Sequence, residues 1–277
     1  MSESFAGRVV VVTGAGRGMG RAIAQKFASL GARVAALDLN ADEASETVDG
    51  CASPGPHLAL ACDVSDSSSV AEAFGQVGES LGVVDVLVNN AGIGRYANDG
   101  SDEMYELMAK RNEELAAGGP ATTHVDHLIH MQDEGWKGVM GVNIDGAFYC
   151  TREAVRAMAA ADKGGSIVSI SSTSAQSGEG AVHYCTSKAA LIGMTRCLAG
   201  ELAGRGIRVN AVAPGPTNTP VMAGIPEEWI QSMEAAIPLG RMAAPAEIAE
   251  AVAWVSSDAA SFCTGSVLVA NGGSYFF

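Results

Sequence analysis

Tyr184 and Lys188, four residues apart, are the side chains of this sequence with the clearest capacity for proton transfer. In a helix that spacing places both on one face, close enough to interact. A phenol has an ordinary pKa of about 10 and is a poor base near neutral pH, but a neighbouring ammonium group stabilises the phenolate and lowers this pKa. The pair therefore predicts a general acid/base for a hydroxyl proton. Because such pairs are also common on solvated helix faces, the prediction depends on the neighbouring residues.

Further polar residues follow predicted strands. Ser172 lies twelve residues upstream of Tyr184, just past an apolar strand, and Asn143 lies in the preceding helix. Two other segments leave strands in the same way, namely Asn89-Asn90-Ala91-Gly92, and Pro214-Gly215 with Thr217 and Thr219 behind it. The carboxyl ends of parallel strands share one edge of a sheet, which is where open α/β sheets bind ligands. We therefore expect these groups to converge on one crevice.

A glycine-rich segment, Thr13-Gly14-Ala15-Gly16-Arg17-Gly18-Met19-Gly20, stands between the first predicted strand and the first helix. Glycines allow a tight turn and let backbone N–H groups approach a pyrophosphate at a helix N-terminus, where the dipole favours anions. The spacing is G-x-x-x-G-x-G and departs from the G-x-G-x-x-G fingerprint, so the prediction depends on the position between strand and helix. It indicates a dinucleotide contact at Gly14, Arg17, Gly18, Met19 and Gly20.

Asp38, followed by Leu39, ends the second predicted strand. A carboxylate there can accept hydrogen bonds from the adenosine ribose hydroxyls, and it would repel a 2′-phosphate. Arg17 favours the opposite preference, because a cation in the glycine segment could bind that phosphate. Burying a phosphate beside a carboxylate is costly. The sequence therefore predicts NAD, with NADP less favoured.

Short apolar runs alternate with longer helical stretches, which is the pattern of βαβ units with a parallel sheet. The runs are almost continuous in Val, Ile, Leu and Ala, as expected of strands covered on both faces. We predict one α/β domain over residues 1–277, a Rossmann-type doubly wound sheet of about seven parallel strands. The predicted strands are Arg8–Val12, Val34–Leu37, Leu58–Ala61, Val84–Val88, Ser166–Ile170, Arg208–Ala213 and Val267–Val269, with helices near 18–30, 41–48, 67–80, 136–161, 184–203 and 245–256.

Residues 94–134 form a helical insertion where a strand-to-helix connection usually needs only a few residues. Helix-forming composition predicts one helix over 102–117 and a second, short one over 123–132. An insertion beside an expected active site is either a lid or a decorated surface loop, and the sequence leaves both open. His124, His127 and His130 lie at three-residue spacing, which a solvated surface helix explains, so no metal site is predicted.

The composition excludes several classes of function. The chain has 277 residues with 31 acidic and 17 basic side chains, a formal charge of −14. Nucleic-acid binding needs a basic surface, and so does docking on anionic lipid. No apolar run approaches the length that spans a bilayer, and no secretory signal is visible. Six scattered cysteines without metal-like spacing indicate reduced thiols in a cytoplasmic protein.

Taken together, the motifs resemble those of the short-chain dehydrogenase/reductase family over nearly the whole chain. In chain order they are Thr13-Gly14-x-x-x-Gly18-x-Gly20, Asp63-Val64, Asn89-Asn90-Ala91-Gly92, Asn143, Ser172, Tyr184-x-x-x-Lys188 and Pro214-Gly215. One departure is the separation of Asn90 and Asn143, which is about twice the family's usual value because of the insertion. This departure concerns the substrate entrance rather than the chemistry.

The resemblance implies a role for each matching residue. Tyr184 would be the general acid/base, aided by Lys188 and by the positive charge of oxidised nicotinamide, and Lys188 would also bind the nicotinamide ribose. Ser172, favoured over Ser171 by the Ile-Ser-Ser segment, would hold the substrate oxygen, and Asn143 would hold a water that links Lys188 to solvent. The implied cofactor contacts also include Asp63, Val64, Asn90, Ala91, Gly92, Pro214, Gly215, Thr217 and Thr219.

The predicted function is NAD-dependent hydride transfer between nicotinamide and a hydrophobic secondary alcohol or ketone. The apolar segment 221–237, where the family places its substrate loop, suggests the hydrophobic substrate. Two alternatives stay open: an NADPH-dependent carbonyl or 3-oxoacyl reductase, and a non-catalytic dinucleotide-binding sensor. The resemblance also implies a homotetramer, with one interface on helices 136–161 and 184–203.

Overall fold

The structure is a computed structural model that describes residues 5–53, 55–223 and 227–276. Within these residues seven parallel strands form one sheet in the order β3-β2-β1-β4-β5-β6-β7. The strands are β1 Val9–Thr13, β2 Arg33–Asp38, β3 Leu58–Ala61, β4 Val86–Asn89, β5 Gly165–Ile170, β6 Ile207–Pro214 and β7 Val267–Ala270. The predicted Rossmann-type α/β fold is confirmed. Each predicted strand overlaps an observed one, and their ends differ by at most two residues.

Helices connect successive strands. They are α1 Gly18–Ser29, α2 Ala41–Asp49, α3 Ser67–Ser80, α4 Ser101–Ala116, α5 Asp133–Met140, α6 Gly146–Ala160, α7 Ser174–Ser177, α8 Val182–Leu202, α9 Glu227–Ala236 and α10 Pro245–Ser256. A π-helical turn, Gly141–Asp145, joins α5 to α6, and short 3₁₀ turns occupy Ala203–Arg205, Pro220–Met222 and Asp258–Ala260. None of the helices in the described part of the chain is long and apolar enough to cross a membrane.

Helices cover both faces of the sheet. In β1, Val10 and Val12 pack into a core layer with Phe27 of α1. Val9 and Val11 face the other layer, which contains Met158 of α6. All four valines are fully buried. An uninterrupted apolar strand is the consequence of this two-sided burial, and it leaves the ends of the strands as the places where polar groups can meet.

Several predicted helices differ from the observed ones. The predicted helix 136–161 is interrupted by the π-helical turn at 141–145, and α8 begins two residues before Tyr184. The short helices α7 and α9 were not predicted, because four and ten residues give little periodic signal.

The insertion contains one helix rather than two. The predicted helix 102–117 is confirmed as α4, but the one predicted over 123–132 is wrong. The backbone N–H groups of Thr122 and Thr123 donate to the Glu114 carboxylate at 2.6 and 2.9 Å, and the Arg111 guanidinium donates to the carbonyl of Thr123 at 3.1 Å. These bonds hold the chain extended along α4, so the backbone groups that would begin a helix already have partners.

At the sheet edge opposite the strand ends that carry the motifs, Arg208 of β6 binds the end of α10. Its guanidinium donates to the carbonyls of Val255 and Cys263 at 2.8 and 3.1 Å, and to those of Ser256 and Ser257 at 3.0 Å each. The last carbonyls of a helix lack intrahelical partners, and a cation there also suits the helix dipole.

We therefore expect Arg208→Met to lower the free energy of unfolding by about 2–4 kcal/mol, because it leaves several half-buried carbonyls unpaired. Denaturant titration of the variant measures this loss. Arg205→Met, at an exposed position, is the matched control and should change little. Equal stability of both variants would contradict the assignment.

Candidate active site

The loops after β1 and β4 meet at the centre of the sheet. These strands are neighbours although they are not consecutive in the chain, so the connections on either side diverge and open a crevice at their carboxyl ends. This is the position at which doubly wound sheets bind ligands. The glycine segment, the Asn89–Gly92 segment and the loop that follows β5 all lie there.

Close backbone approach explains the glycines of the first loop. A Cβ on Gly14 would lie 2.8 Å from the Cα of Ala91, and a Cβ on Gly20 would lie 2.6 Å from Nδ2 of Asn90. Asn90 braces this contact, since its amide donates to the carbonyls of Thr13 and Gly14 at 2.9 and 3.0 Å. In this structure the side chain of Asn90, expected from the resemblance to touch the cofactor, holds the loop in shape.

The second-strand carboxylate lies directly against the glycine loop. Oδ2 of Asp38 accepts from the backbone N–H of Gly16 at 2.7 Å, and Oδ1 accepts from that of Asn40 at 3.0 Å. Arg17 is largely exposed and approaches the carboxylate of Glu43 at 4.0 Å. The acid is therefore fixed in position, whereas the competing cation has an acidic neighbour of its own.

The remaining predicted cofactor residues line the same edge in different ways. A Cβ on Gly18, whose φ is +55°, would touch Thr219 at 3.4 Å, so Thr219 lies over the start of α1. Val64 packs against Gly146. Asp63 is exposed and accepts from Ser65. Leu39, also predicted to contact the cofactor, is exposed. Thr217 is buried, and its hydroxyl donates to the carbonyl of Gly215 at 3.0 Å.

The two candidate serines have different surroundings. Ser171 is buried and donates to the carbonyl of Lys188 at 2.8 Å, so its hydroxyl joins β5 to α8. Ser172 is partly exposed and accepts from the N–H of Ser174 at 3.1 Å. A hydrogen bond with the Ser172 side chain also acts on the Tyr184 phenol. The geometry favours Ser172 as the serine that faces the crevice.

Burial controls the acid–base properties of the tyrosine and the lysine. It raises the pKa of Tyr184 above its ordinary value, and the Ser172 hydrogen bond lowers it. Burial lowers the pKa of Lys188 to about 8. Nζ of Lys188 donates to the carbonyl of Ile170 at 2.9 Å and lies 5.7 Å from the centre of the Tyr184 ring. The sequence predicts a lowered pKa for this phenol when Lys188 and an oxidised nicotinamide act together. In the protein without a nicotinamide the pKa of Tyr184 is raised instead, because burial outweighs the other effects.

Asn143 lies in the π-helical turn and is almost fully buried. Its Oδ1 accepts from the N–H of Ile93 at 2.8 Å, and its Nδ2 donates to the carbonyl of Ile93 and to Oγ of Ser187, both at 2.9 Å. Ser187 in turn donates to the carbonyl of Tyr184 at 2.8 Å. Single π turns are frequent at functional sites because they redirect a side chain, and here the turn ties the loop after β4 to the helix of Tyr184.

The structure adds a buried pair that the sequence analysis missed. Asp99 from the insertion and His183, the residue before Tyr184, are both buried, with Oδ2 of Asp99 3.2 Å from Nε2 of His183. The His127 ring packs edge-on against His183 at 5.5 Å between centres. Potential ligand atoms of these three residues lie within 4.8 Å of one another. The sequence analysis expects a surface helix that exposes all three histidines. In the structure this segment is not helical, and the His127 side chain packs against buried His183.

A signal for Asp99 was present in the sequence. Asn98-Asp99-Gly100 is a typical turn segment, and Asn98 and Gly100 do adopt positive φ values of 58° and 78°. A Cβ on Gly100 would lie 2.9 Å from the N atom of Met131. The sequence does not show which distant residue a turn of this kind contacts, so the partner His183 required the fold.

The crevice fits a dinucleotide. The glycine loop, which has no room for a Cβ at Gly14 or Gly20, leads into the N-terminus of α1. The carboxylate of Asp38 is held at the end of the neighbouring strand β2. Tyr184, Lys188 and Ser172 lie farther along the same sheet edge, beyond the glycine loop.

Comparison with known proteins agrees with this geometry. A family model described as short chain dehydrogenase matches residues 8–229. The chain is 38% identical over 276 residues to a cis-4-hydroxycyclohexanecarboxylate dehydrogenase of Sinomonas cyclohexanicum, covering 99% of this chain and 98% of the relative. It is 36% identical over 271 residues to a 3-oxoacyl-(acyl-carrier-protein) reductase of Thermotoga maritima, covering 96% and 97%.

A solved structure gives the same result. A short-chain dehydrogenase/reductase of Brucella melitensis, named a glucose/ribitol dehydrogenase, superposes with a TM-score of 0.83 at 30% identity and 100% coverage of both chains. The chain therefore belongs to the short-chain dehydrogenase/reductase family of nicotinamide-dependent oxidoreductases.

Proposed function

We propose that this enzyme is an NAD-dependent dehydrogenase that oxidises hydrophobic secondary alcohols and, in reverse, reduces the corresponding ketones. The observation that carries the proposal is the convergence of Tyr184, Ser172 and Lys188 at the strand ends beside the glycine loop. These residues form one proton-transfer group in which Lys188 is buried and Tyr184 and Ser172 are partly exposed. A pure binding protein has no need of such a group.

Each catalytic side chain has one task. When the alcohol is oxidised, Tyr184 accepts the hydroxyl proton, and Ser172 donates a hydrogen bond to the oxygen and stabilises its developing charge. The nicotinamide, when bound, supplies the hydride acceptor. Lys188 holds a positive charge near the phenol and favours the phenolate. Asn143 keeps Ile93 and Ser187 in place around these groups.

The environment of Asp38 supports NAD. Its carboxylate is fixed by two backbone N–H groups, and the next residue, Leu39, is 75% exposed and cannot pair with a phosphate. Arg17 faces Glu43, and Arg21 donates to the carbonyl of Gly16 and to Glu46. A 2′-phosphate would thus meet a carboxylate, while the nearby cations already have partners.

The insertion supports an uncharged, apolar substrate. Residues 94–134 contain nine acidic and three basic side chains, which disfavours a strongly anionic substrate. Tyr96 is 44% exposed and Trp229 of α9 is 41% exposed, and both offer apolar surface. The relative from Sinomonas is named for a ring alcohol that also carries one carboxylate. It supports a cyclic secondary alcohol as the substrate class, whereas the absence of charge is supported by the acidic insertion alone.

A second candidate is NADPH-dependent reduction of a 3-oxoacyl or other carbonyl compound. It is supported by the 36% identity to the Thermotoga reductase. The acidic insertion and the fixed Asp38 carboxylate argue against it, because both oppose phosphate-bearing ligands.

We expect Tyr184→Phe to lower kcat for alcohol oxidation by at least about 1,000-fold, since it removes the proton acceptor, while NAD binding stays within a few-fold. NADH formation at 340 nm on a panel of cyclic and aromatic secondary alcohols measures kcat, and titration calorimetry measures the Kd for NAD. Tyr105→Phe, on the exposed face of α4, is the control. Turnover by Tyr184→Phe near the wild-type rate would contradict the assignment of Tyr184 as the proton acceptor.

The cofactor preference has its own test. Asp38→Asn should lower kcat/KM for NAD by about 10–100-fold, because a pair of charge-assisted hydrogen bonds contributes about that much to binding. It should also reduce the preference for NAD over NADP. The control is Asp42→Asn, an exposed carboxylate in the first turn of α2. A wild-type enzyme that prefers NADP would show that Arg17 outweighs Asp38.

We also propose a homotetramer, with α6 and α8 in one interface. Phe148 of α6 is 47% exposed and Val182 of α8 is 38% exposed. Both helices pack into the same core layer, and exposed apolar side chains on such helices are typical of surfaces buried by association.

Phe148→Glu should therefore shift the wild-type tetramer to a smaller species in sedimentation velocity at micromolar concentration, because a charge would be buried at the interface. Leu115→Glu on α4, also exposed, should remain tetrameric. A monomeric wild-type protein would remove the proposal.

A further inference from the structure

The first turn of α8 carries Tyr184, and His183 satisfies a backbone donor there. The first N–H groups of a helix have no intrahelical acceptor. The N–H of Tyr184 donates to Nδ1 of His183 at 2.7 Å. His183 thus holds the backbone of the residue that transfers the proton, in a turn that would otherwise depend on water or another cap.

The other nitrogen of His183 reaches the insertion. Nε2 lies 3.2 Å from Oδ2 of Asp99, and both side chains are almost completely buried. Because Nδ1 accepts a hydrogen bond, Nε2 carries the proton of the neutral ring and donates it to Asp99. Burial lowers the pKa of His183, which agrees with a neutral ring. The two bonds fix a single tautomer.

Asp99 is itself held firmly. Its carboxylate accepts from the N–H of Tyr96 at 2.8 Å and from that of Ser101 at 2.9 Å. Burial alone would raise the pKa of Asp99, but these bonds and the one from His183 outweigh it and hold the pKa at about 2. The carbonyl of Asn98 also accepts from the N–H of Gln132 at 3.0 Å. The turn around Asp99 is therefore joined to both ends of the insertion.

We propose that Asp99 and His183 are positioning residues that fix the first turn of α8, and with it Tyr184, to the insertion. The inference rests on the proposed function, since Tyr184 matters as the proton-transfer group. A phenol must be held to within about 0.5 Å of the productive geometry. The insertion is then part of the catalytic framework and not a decoration of the surface.

A metal site at Asp99, His127 and His183 is the competing assignment. The distances allow it, and Nε2 of His127 is buried without a hydrogen-bond partner among the described residues. However, a cation needs an unprotonated Nε2 on His183, which would place a proton on Nδ1 against the N–H of Tyr184. The hydrogen bonds present therefore favour the positioning role.

Two variants of His183 separate a hydrogen-bonding role from a packing role. His183→Asn keeps an acceptor close to the position of Nδ1 but loses ring volume, and His183→Phe keeps the volume but loses the acceptor. We expect kcat to fall by about 100-fold in His183→Phe and by less than about 10-fold in His183→Asn, with the Kd for NAD within about three-fold in both. Asp99→Asn should lower kcat by about as much as His183→Asn, since each weakens the bond between α8 and the insertion and leaves an acceptor for the N–H of Tyr184.

Arg208→Met controls for general destabilisation, because Arg208 lies at the opposite sheet edge and its loss should leave kcat unchanged at 25 °C. The opposite order of activities, with His183→Phe closer to the wild type than His183→Asn, would show that the ring acts only by packing. Wild-type kcat in both variants would also overturn the proposal.

A spectroscopic measurement tests the same contact without turnover. The chain has five tyrosines, so a deuterated protein with ¹⁵N-labelled tyrosine gives few amide signals, and the one lost in Tyr184→Phe belongs to Tyr184. This amide proton should resonate downfield in the wild type and in His183→Asn, and should move upfield in His183→Phe. An unchanged position in His183→Phe would overturn the proposed contact.

This readout separates the two levels of inference. A wild-type protein that binds NAD but oxidises no alcohol would refute the proposed function, and the Tyr184 amide would still decide the contact. The ¹⁵N shifts of labelled histidine supply the last arm. Protonated Nε2 on His183 supports the positioning role, whereas protonated Nδ1 together with one retained metal ion per chain would establish the metal site instead.

Discussion

The side-chain amide of Asn143 joins three segments around the candidate active site. Its carbonyl and amino groups bind the backbone of Ile93 after β4, and its amino group also binds Ser187 on α8. A Cβ on Gly92 would lie 3.0 Å from Nζ of Lys188 and 3.3 Å from Oδ1 of Asn143. A buried amide that makes three hydrogen bonds permits little rearrangement, so the loop after β4, the π-helical turn and α8 hold a fixed relation.

Burial in this framework sets the electrostatics. Nζ of Lys188 has the carbonyl of Ile170 as its hydrogen-bond acceptor, and burial lowers its pKa to about 8. Burial also raises the pKa of Tyr184. Both groups are thus pushed toward their neutral forms, and a positive charge brought close to the phenol would shift it toward phenolate. Under the proposed function, proton transfer to Tyr184 is therefore coupled to the binding of the positively charged nicotinamide ring.

Much of this arrangement was predictable from the sequence, for physical reasons. Two-sided burial makes each parallel strand a continuous apolar run, so the strands and the edge that carries Ser172, Asn90 and Gly215 could be placed. The glycine loop was predictable because close backbone approach admits no Cβ at Gly14 or Gly20. The π-helical turn was not, since a single inserted residue leaves the helical pattern of 133–160 almost unchanged.

The insertion shows the limit most clearly. Its first helix has strong local propensity and was predicted, whereas the extended segment after it is set by contacts of Glu114 with Thr122 and Thr123 that no periodicity reveals. The bond between Asp99 and His183 spans 84 positions in the chain. That bond connects the insertion to the residue beside Tyr184, the proton-transfer group that we propose, so a change in the insertion bears on the position of Tyr184. On the proposed roles of Tyr184 and the insertion, substrate selection and proton transfer share one buried hydrogen bond.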